Sequence, residues 1–305
     1  MSLSSVAAKL AARMGARLRR PRSIVAAAVV GLCCALVGAC GGDETPSAAS
    51  EASGATLPAF DRASFGGNPA TDANRWYPLK PGYQSVRLGK VNRGSRRLTH
   101  RRVYTVTDVG KEISGMRAVV VLDQDFDGGE IAEQALDYLA VDKTGNVWHL
   151  GSYTEAYEGG RFVNANDGWL AGVNGAKAGI LLPADPRPGT PPFIQAQEPG
   201  NEPDVGKVVR IQASKCVPYK CYENVLVVEE GGSEHKFFAR GVGEIGLAPR
   251  ESGGGEQEVE ELVNLTQLRS RGLAEVSAEA RKLDRHAVET VPEVFASSKA
   301  AERLR

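Results

Sequence analysis

The 305-residue chain sets 37 Lys and Arg against 37 Asp and Glu, with four histidines and five cysteines. A balanced charge gives nucleic acid no basic field to meet, which excludes a general nucleic-acid binder. The histidines and cysteines show no zinc-finger spacing, and no HExxH, GxSxG or P-loop motif occurs, so no motif-bearing enzyme class is indicated.

The first segment is an export signal. Lys9, Arg13, Arg17, Arg19, Arg20 and Arg22 precede any acid, and an apolar run from Ile24 to Ala39 follows. That run is short for a membrane-spanning helix, which needs about 20 residues. It ends in Val37-Gly38-Ala39-Cys40, which is similar to the lipobox of bacterial lipoproteins. The resemblance implies a diacylglyceryl thioether on Cys40 and cleavage just before it. Two acyl chains suffice for stable attachment. Arg19-Arg20 suits the twin-arginine route, but Arg22 stands where that motif wants an apolar residue, so Sec and twin-arginine export both stay open. Loss of the six basic residues leaves a mature chain with net charge −6.

The expected domains are a signal peptide over 1–39, lipidated Cys40 with a flexible tether over 40–72, a β-domain over 73–268 and a helical tail over 269–305. The tether is rich in small and polar residues, and folded material is expected from Trp76-Tyr77-Pro78-Leu79 onward. From there the hydrophobic period is two. HRRVYTVTD puts Tyr104 and Val106 on one side and Val103 and Thr105 on the other, and MRAVVVLD, IAEQALDYLAVD, VWHLGSY, KVVRIQAS, YENVLVVEE and HKFFARGVGEIGLA continue the series. Turn residues at 127–129, 143–146 and 230–232 separate them. The expected fold is mainly β: a single antiparallel sheet, strongly curved or barrel-like, with a C-terminal helix. The proline-rich segment Trp169 to Gly200 reads as an ordered loop along a sheet edge. A last strand is expected at 258–268, then a helix capped at Ser277 and stopped by Pro292.

DYLAVDKTGNVWHLGSY at 137–153 and KFFARGVGEIG at 236–246 resemble a group of exported bacterial proteins of unknown function. YPLKPG, AGVNGAKAGILLPADP and CVPYKCYENVLVVEE fit the same pattern, and His149 stands where an aromatic is expected. The resemblance implies an exported β-rich domain and brings no activity and no catalytic residue.

Asp123, Asp125 and Asp127 followed by Gly128 match the first half of an EF-hand loop, whose carboxylates suit calcium. The twelfth position is Gln134 rather than glutamate, and strands rather than helices flank the motif. We therefore read a hairpin turn, with calcium on the three aspartates as the alternative. Gly241-Val-Gly243-Glu-Ile-Gly246 is a formal dinucleotide fingerprint without the helix that it must open. Cys216 and Cys221, left paired once Cys33, Cys34 and Cys40 are accounted for, read as a structural disulfide in an oxidising compartment. His100, His149, His235 and His286 read as solvated or satisfied side chains. The basic stretch from Arg87 to Arg102 reads as a solvated face, ahead of a patch for anionic headgroups or an acidic partner.

The expectation is an exported protein, lipid-anchored through Cys40 to the bacterial membrane and facing the periplasm or the outside. Its β-domain reads as a non-catalytic binding or envelope-scaffold module. A curved sheet bearing Trp76, Trp148, Trp169, Phe237 and Phe238 would hold a packed core by default, or an apolar or lipid ligand. The alternatives are an envelope hydrolase built from dispersed residues and a calcium-dependent binding module. A pocket joining a histidine, a carboxylate and a hydroxyl would favour the enzyme. An open, apolar cavity would favour the binder.

Overall fold

The computed structural model describes residues 54–66, 74–250 and 258–304. The signal segment and Cys40 lie outside them. The strands are β1 (Tyr83–Arg93), β2 (Arg96–Ile113), β3 (Met116–Asp127), β4 (Glu130–Val141), β5 (Val147–Glu158), β6 (Arg161–Leu170), β7 (Lys177–Leu182), β8 (Phe193–Gln197), β9 (Asp204–Cys216), β10 (Cys221–Glu230), β11 (Glu234–Ala239), β12 (Gly243–Pro249), β13 (Glu258–Gln267) and β14 (Glu302–Arg303). Helix α1 spans Ser270–Thr290, and the single turn α2 spans Pro292–Phe295.

Antiparallel pairing runs β1-β13-β12-β11-β10-β9-β8-β7-β5-β4-β3-β2, and β1 pairs with β2 to close the ring. Twelve strands therefore make a closed barrel, while β6 pairs aside with β5 and β14 adds to β2. Closure leaves no open edge around the ring. At the tight turns the sequence supplies residues with positive φ, as at Gly128 (φ 63) and Gly129 (φ 94) between β3 and β4.

Alternation along each strand divides the core. Val106, Val119, Val121, Leu139, Val147, Leu182, Phe193, Val208, Leu226, Val228 and Phe238 come from nine of the twelve ring strands and meet in one buried cluster, which is the lumen; Trp76 and Leu79 pack into it from ahead of β1. The other face of β2 to β5 carries Val109, Ile113, Val120, Leu122, Leu136, Tyr138, Trp148 and Leu150, packed under α1 and α2. Burying side chains such as Leu283 and Phe295 contributes about 1.5–3 kcal/mol each, more than intrinsic propensity gives a helix.

Three sequence expectations are corrected. The helix starts at Ser270, not Ser277; Ser277 is buried one-third of the way along, and its Oγ accepts the Asp108 N–H at 3.3 Å, so a tertiary contact takes the atom expected to cap. Part of the 40–72 tether is packed: Phe60 and Phe65 meet Trp148 at ring distances of 5.6 and 5.8 Å, and Thr56 bridges to Phe193. The proline-rich segment supplies β7 and β8, which complete the ring. The strand expected at 258–268 is β13. Among the described residues no helix is long and apolar enough to cross a membrane.

Candidate functional site

The alternation that fills one end of the lumen with valine continues into charge at the other. Asp123, Asp125 and Asp127 follow Val119 and Val121 on one face of β3, as His100 and Arg102 precede Tyr104 and Val106 on β2. Lys236 and Glu230 stand two residues from Phe238 and Val228.

Arg102 grips Asp123 with Nε at 3.0 Å and Nη2 at 2.7 Å, and its Nη1 reaches Glu260 Oε1 at 3.5 Å. Arg87 Nε bonds the same Glu260 Oε1 at 3.0 Å. Lys236 Nζ pairs with Glu230 at 2.7 Å. At the rim, His100 Nδ1 lies 2.7 Å from Asp127 Oδ1, and Arg93 donates to Asp127 Oδ2 at 2.8 Å. His100 Nε2 stands 3.2 Å from Glu258 Oε1, 3.8 Å from Asp125 Oδ1 and 3.9 Å from Glu260 Oε2.

These contacts between β2 and β13 pass over β1, and Gly89 permits it. Gly89 pairs with His100 on one side and Glu260 on the other, and a Cβ there would meet the Val259 carbonyl oxygen at 1.6 Å.

Among the described residues, carboxylates exceed cations here. Asp123, Asp125, Asp127, Glu230, Glu244, Glu258 and Glu260 face the permanent cations Arg87, Arg93, Arg102 and Lys236. Even a charged His100 leaves two carboxylates over. The proton affinities reflect this. Burial drives Asp125 up to about 8 against the pull of Arg102, and burial likewise raises Glu244. Burial alone would depress His100, but its bond to Asp127 and the Glu258 carboxylate 3.2 Å away raise it to about 11. Burial would raise Glu258, yet His100 holds it at about 2. Among the described residues, four buried atoms at the rim have no hydrogen-bond partner: His100 Nε2, Asp125 Oδ1, Glu258 Oε1 and Glu260 Oε2.

The three aspartates of the EF-hand-like stretch thus lie on a strand, with the turn at Gly128-Gly129. Arg102 takes Asp123 while His100 and Arg93 take Asp127; of the three, only Asp125 has an unbonded buried oxygen. The basic stretch 87–102 is not one solvated face: Arg87 and Arg102 are 2% and 4% exposed inside the barrel, whereas Lys90, Arg96, Arg97 and Arg101 point to solvent. Trp76, Trp148, Trp169, Phe237 and Phe238 are all buried. The chamber between Tyr77, Tyr83, Tyr104, Arg87 and Glu244 measures about 20 Å³, room for about one water. Cys216 and Cys221 form a disulfide at the base of the β9–β10 hairpin.

Of the histidines, His149 is buried 3.4 Å from Asp137 with its ring against Trp169, and His235 lies 3.7 Å from Glu229. His286 belongs to a second constellation, on the outside of the barrel. Its Nδ1 meets buried Glu155 Oε1 at 2.5 Å; Tyr153 donates to the same oxygen at 2.8 Å, and Tyr157 bonds the other. Burial pushes both tyrosines above their ordinary range. Of these groups His286, Glu155 and Tyr157 line a cleft of about 330 Å³ with Phe162, Glu279, Lys282 and Arg285. Neither constellation has a linear motif: His100 meets residues about 160 positions away, and Glu155 meets His286 across the α1 interface. Strict alternation of like charges on β3 and β13 was the one available signal.

No family model and no curated protein matches the chain. Two solved structures are similar to 63% of this chain over 99% of their own. One is provisionally described as an exported protein with a YmcC-like fold from Bacteroides fragilis, 13% identical with a TM-score of 0.34. The other is provisionally described as a lipoprotein from Parabacteroides distasonis, 12% identical with a TM-score of 0.25. At these identities and scores neither neighbour assigns a residue or an activity to the chain.

Proposed function

We propose that the chain is an exported lipoprotein, tethered to the membrane by lipid on Cys40, whose barrel is a binding module that takes a cation at the acidic end of its lumen. The single observation behind this reading is the surplus of buried carboxylates over arginine and lysine there, with unbonded oxygens left at the rim. An uncompensated buried charge costs several kcal/mol, so such a surplus is met by protonation or by a bound cation. The test is thermal unfolding of the detergent-solubilised chain with Ca²⁺, Mg²⁺, Zn²⁺, Mn²⁺ or spermidine. A cation at a hundredfold above its Kd adds about 2.7 kcal/mol, a rise of several degrees that Asp125→Asn should abolish. No rise with any of them sinks the reading. The anchor is tested separately: mass spectrometry of membrane-extracted protein should find a diacylated Cys40 as the first residue.

One observation favours a second reading, a hydrolase. His286 and Glu155 meet on an open cleft with the buried Tyr153 hydroxyl behind them, and a carboxylate on Nδ1 orients Nε2 as a general base. The hydroxyls are engaged, Tyr153 on Glu155 and Thr290 on the His286 carbonyl, so the nucleophile would be water. Hydrolysis of p-nitrophenyl esters that His286→Asn lowers by about 10²-fold or more would support it; rates equal to the variant's would remove it.

A further inference from the structure

We propose that the cation is a divalent transition-metal ion held by His100 Nε2, Glu258 and Glu260, with Asp125 on its solvent side. This rests on the reading of the barrel as a cation-binding module. The three ligand atoms lie within 4.8 Å of one another, and all are buried. His100 is 1% and Glu260 0% exposed, so nothing in water compensates their unbonded atoms. Nε2 is close enough to Glu258 Oε1, at 3.2 Å, for a hydrogen bond and yet makes none with that geometry. With Glu260 Oε2 beside them, the three atoms are close enough to share one ion.

The spacing suits a metal. Ligands at 2.0–2.2 Å around a tetrahedral ion are separated by about 3.3–3.6 Å. The separations from Nε2 to Glu258 and Glu260, 3.2 and 3.9 Å, bracket that range. The supporting contacts are those of a metal-binding histidine: Nδ1 is turned to the Asp127 carboxylate, which fixes the ring and leaves Nε2 for the ion. Glu260 is supported in the same sense. Arg87 and Arg102 both hold its Oε1, leaving Oε2 to the centre. One imidazole with carboxylates suits Zn²⁺, Mn²⁺ or Fe²⁺, whereas Ca²⁺ wants six to eight oxygens. Asp125, with 13% of its side chain exposed, marks the route in from the rim.

The experiment titrates the full chain in detergent with Zn²⁺, Mn²⁺ and Ca²⁺ by calorimetry, and counts bound metal by elemental analysis. The expected result is one equivalent of Zn²⁺ or Mn²⁺, held at least tenfold more tightly than Ca²⁺. Glu258→Gln should weaken it at least tenfold, while Glu112→Gln, in an exposed pair with Lys299, leaves it unchanged. Should Glu258→Gln not fold, wild type decides alone: X-ray absorption of the Co²⁺-loaded chain should show one imidazole nitrogen among oxygen ligands. An all-oxygen shell, a Glu258→Gln protein with wild-type affinity, or no uptake of Zn²⁺ or Mn²⁺ each overturns the proposal. If those metals are silent but spermidine binds and Asp125→Asn abolishes it, the metal falls and the cation-binding reading stands. Silence to every cation removes both.

Discussion

Trp148 Nε1 donates a 2.8 Å hydrogen bond to Asp142 Oδ2, six residues back around the β4–β5 turn. Asp142 gathers the whole turn. Its Oδ1 accepts the Thr144 N–H at 2.9 Å, the Thr144 hydroxyl at 2.6 Å and the Asn146 N–H at 3.0 Å, and Oδ2 takes Asn146 Nδ2 at 2.9 Å. The turn is itself a docking point. Asn146 Oδ1 accepts the Ala184 N–H, Asn74 Nδ2 donates to the Gly145 carbonyl, and Phe65 bridges to Asp142. The DKTGNVW pattern, the most specific part of the sequence resemblance, is thus a structural device that ties three separate segments to one hairpin.

Asp142→Ala should cost about 3 kcal/mol, since several bonds to a charged acceptor are lost and the Trp148 N–H is left buried without one. The pH dependence has a definite sign. Burial would raise this carboxyl, but bonds from Thr144, Trp148 and Asn146 hold it below the ordinary carboxylate range. Its stabilisation is therefore complete above the unfolded value of about 3.9 and is lost as pH falls through the lower folded value. Urea unfolding of wild type and Asp142→Ala should show a difference that is flat from pH 7 to pH 5 and shrinks below about pH 4.

Gly89→Ala should be among the most damaging single-methyl additions in the chain. Its Cβ would fall 1.6 Å from the Val259 oxygen and 2.8 Å from Glu260 Cα, both backbone, so β1 and β13 must separate next to the β1–β2 seam that closes the ring. Overpacking costs about 1–3 kcal/mol where a core can adjust, and a rigid ladder puts this site at or above the upper value. Thermal unfolding reads the loss. Wild-type stability for the variant would mean that β1 and β13 do not pair in the stated register.

The barrel was legible because period-two alternation is a local property, and each of β2 to β5 and β9 to β11 carries it. β7 and β8 were not legible, being five or six residues long among prolines and glycines, where local preference says loop and only pairing with β5 and β9 makes strand. Ser277 shows the same limit at the helix start: a good capping residue is indistinguishable from one whose hydroxyl meets Asp108. The site was half visible. Asp123, Asp125 and Asp127 share a face by alternation alone, but which ones are neutralised depends on Arg93, His100 and Arg102, and nothing local reveals that Glu258 and Glu260 arrive across β1.

Cys216 and Cys221 are cross-strand partners, and Lys220 and Val217 already close the turn with a 3.1 Å backbone bond. So short a loop removes little unfolded-state entropy, and a Cys216→Ser/Cys221→Ser protein should lose about 2 kcal/mol, a fall of several degrees in Tm. The hairpin tip is also held by the Tyr219 N–H on the Leu262 carbonyl, which keeps it docked on β13 without the disulfide, so cation binding should survive. Calorimetry on the serine variant checks both statements.

The helix is pinned to the barrel by an ion pair that solvent does not reach. Lys111 Nζ lies 2.8 Å from Asp284 Oδ1, with side-chain exposures of 0% and 2%, and donates to the Lys299 carbonyl at 2.8 Å. Asp284 also accepts from the Tyr138 hydroxyl at 3.2 Å and the Ala301 N–H at 2.8 Å. Removing one partner strands the other charge, so Lys111→Met and Asp284→Leu should each cost about 3–5 kcal/mol. Replacing both removes the desolvation penalty with the attraction, and the double variant should be less damaged than either single one. The Tyr138 hydroxyl and the Ala301 N–H then lose their acceptor, which keeps the double variant below wild type by about 1–3 kcal/mol. A double-mutant cycle measured by urea unfolding decides: additive losses would mean that α1 is held by its apolar face alone, through Ala280, Leu283 and Ala287.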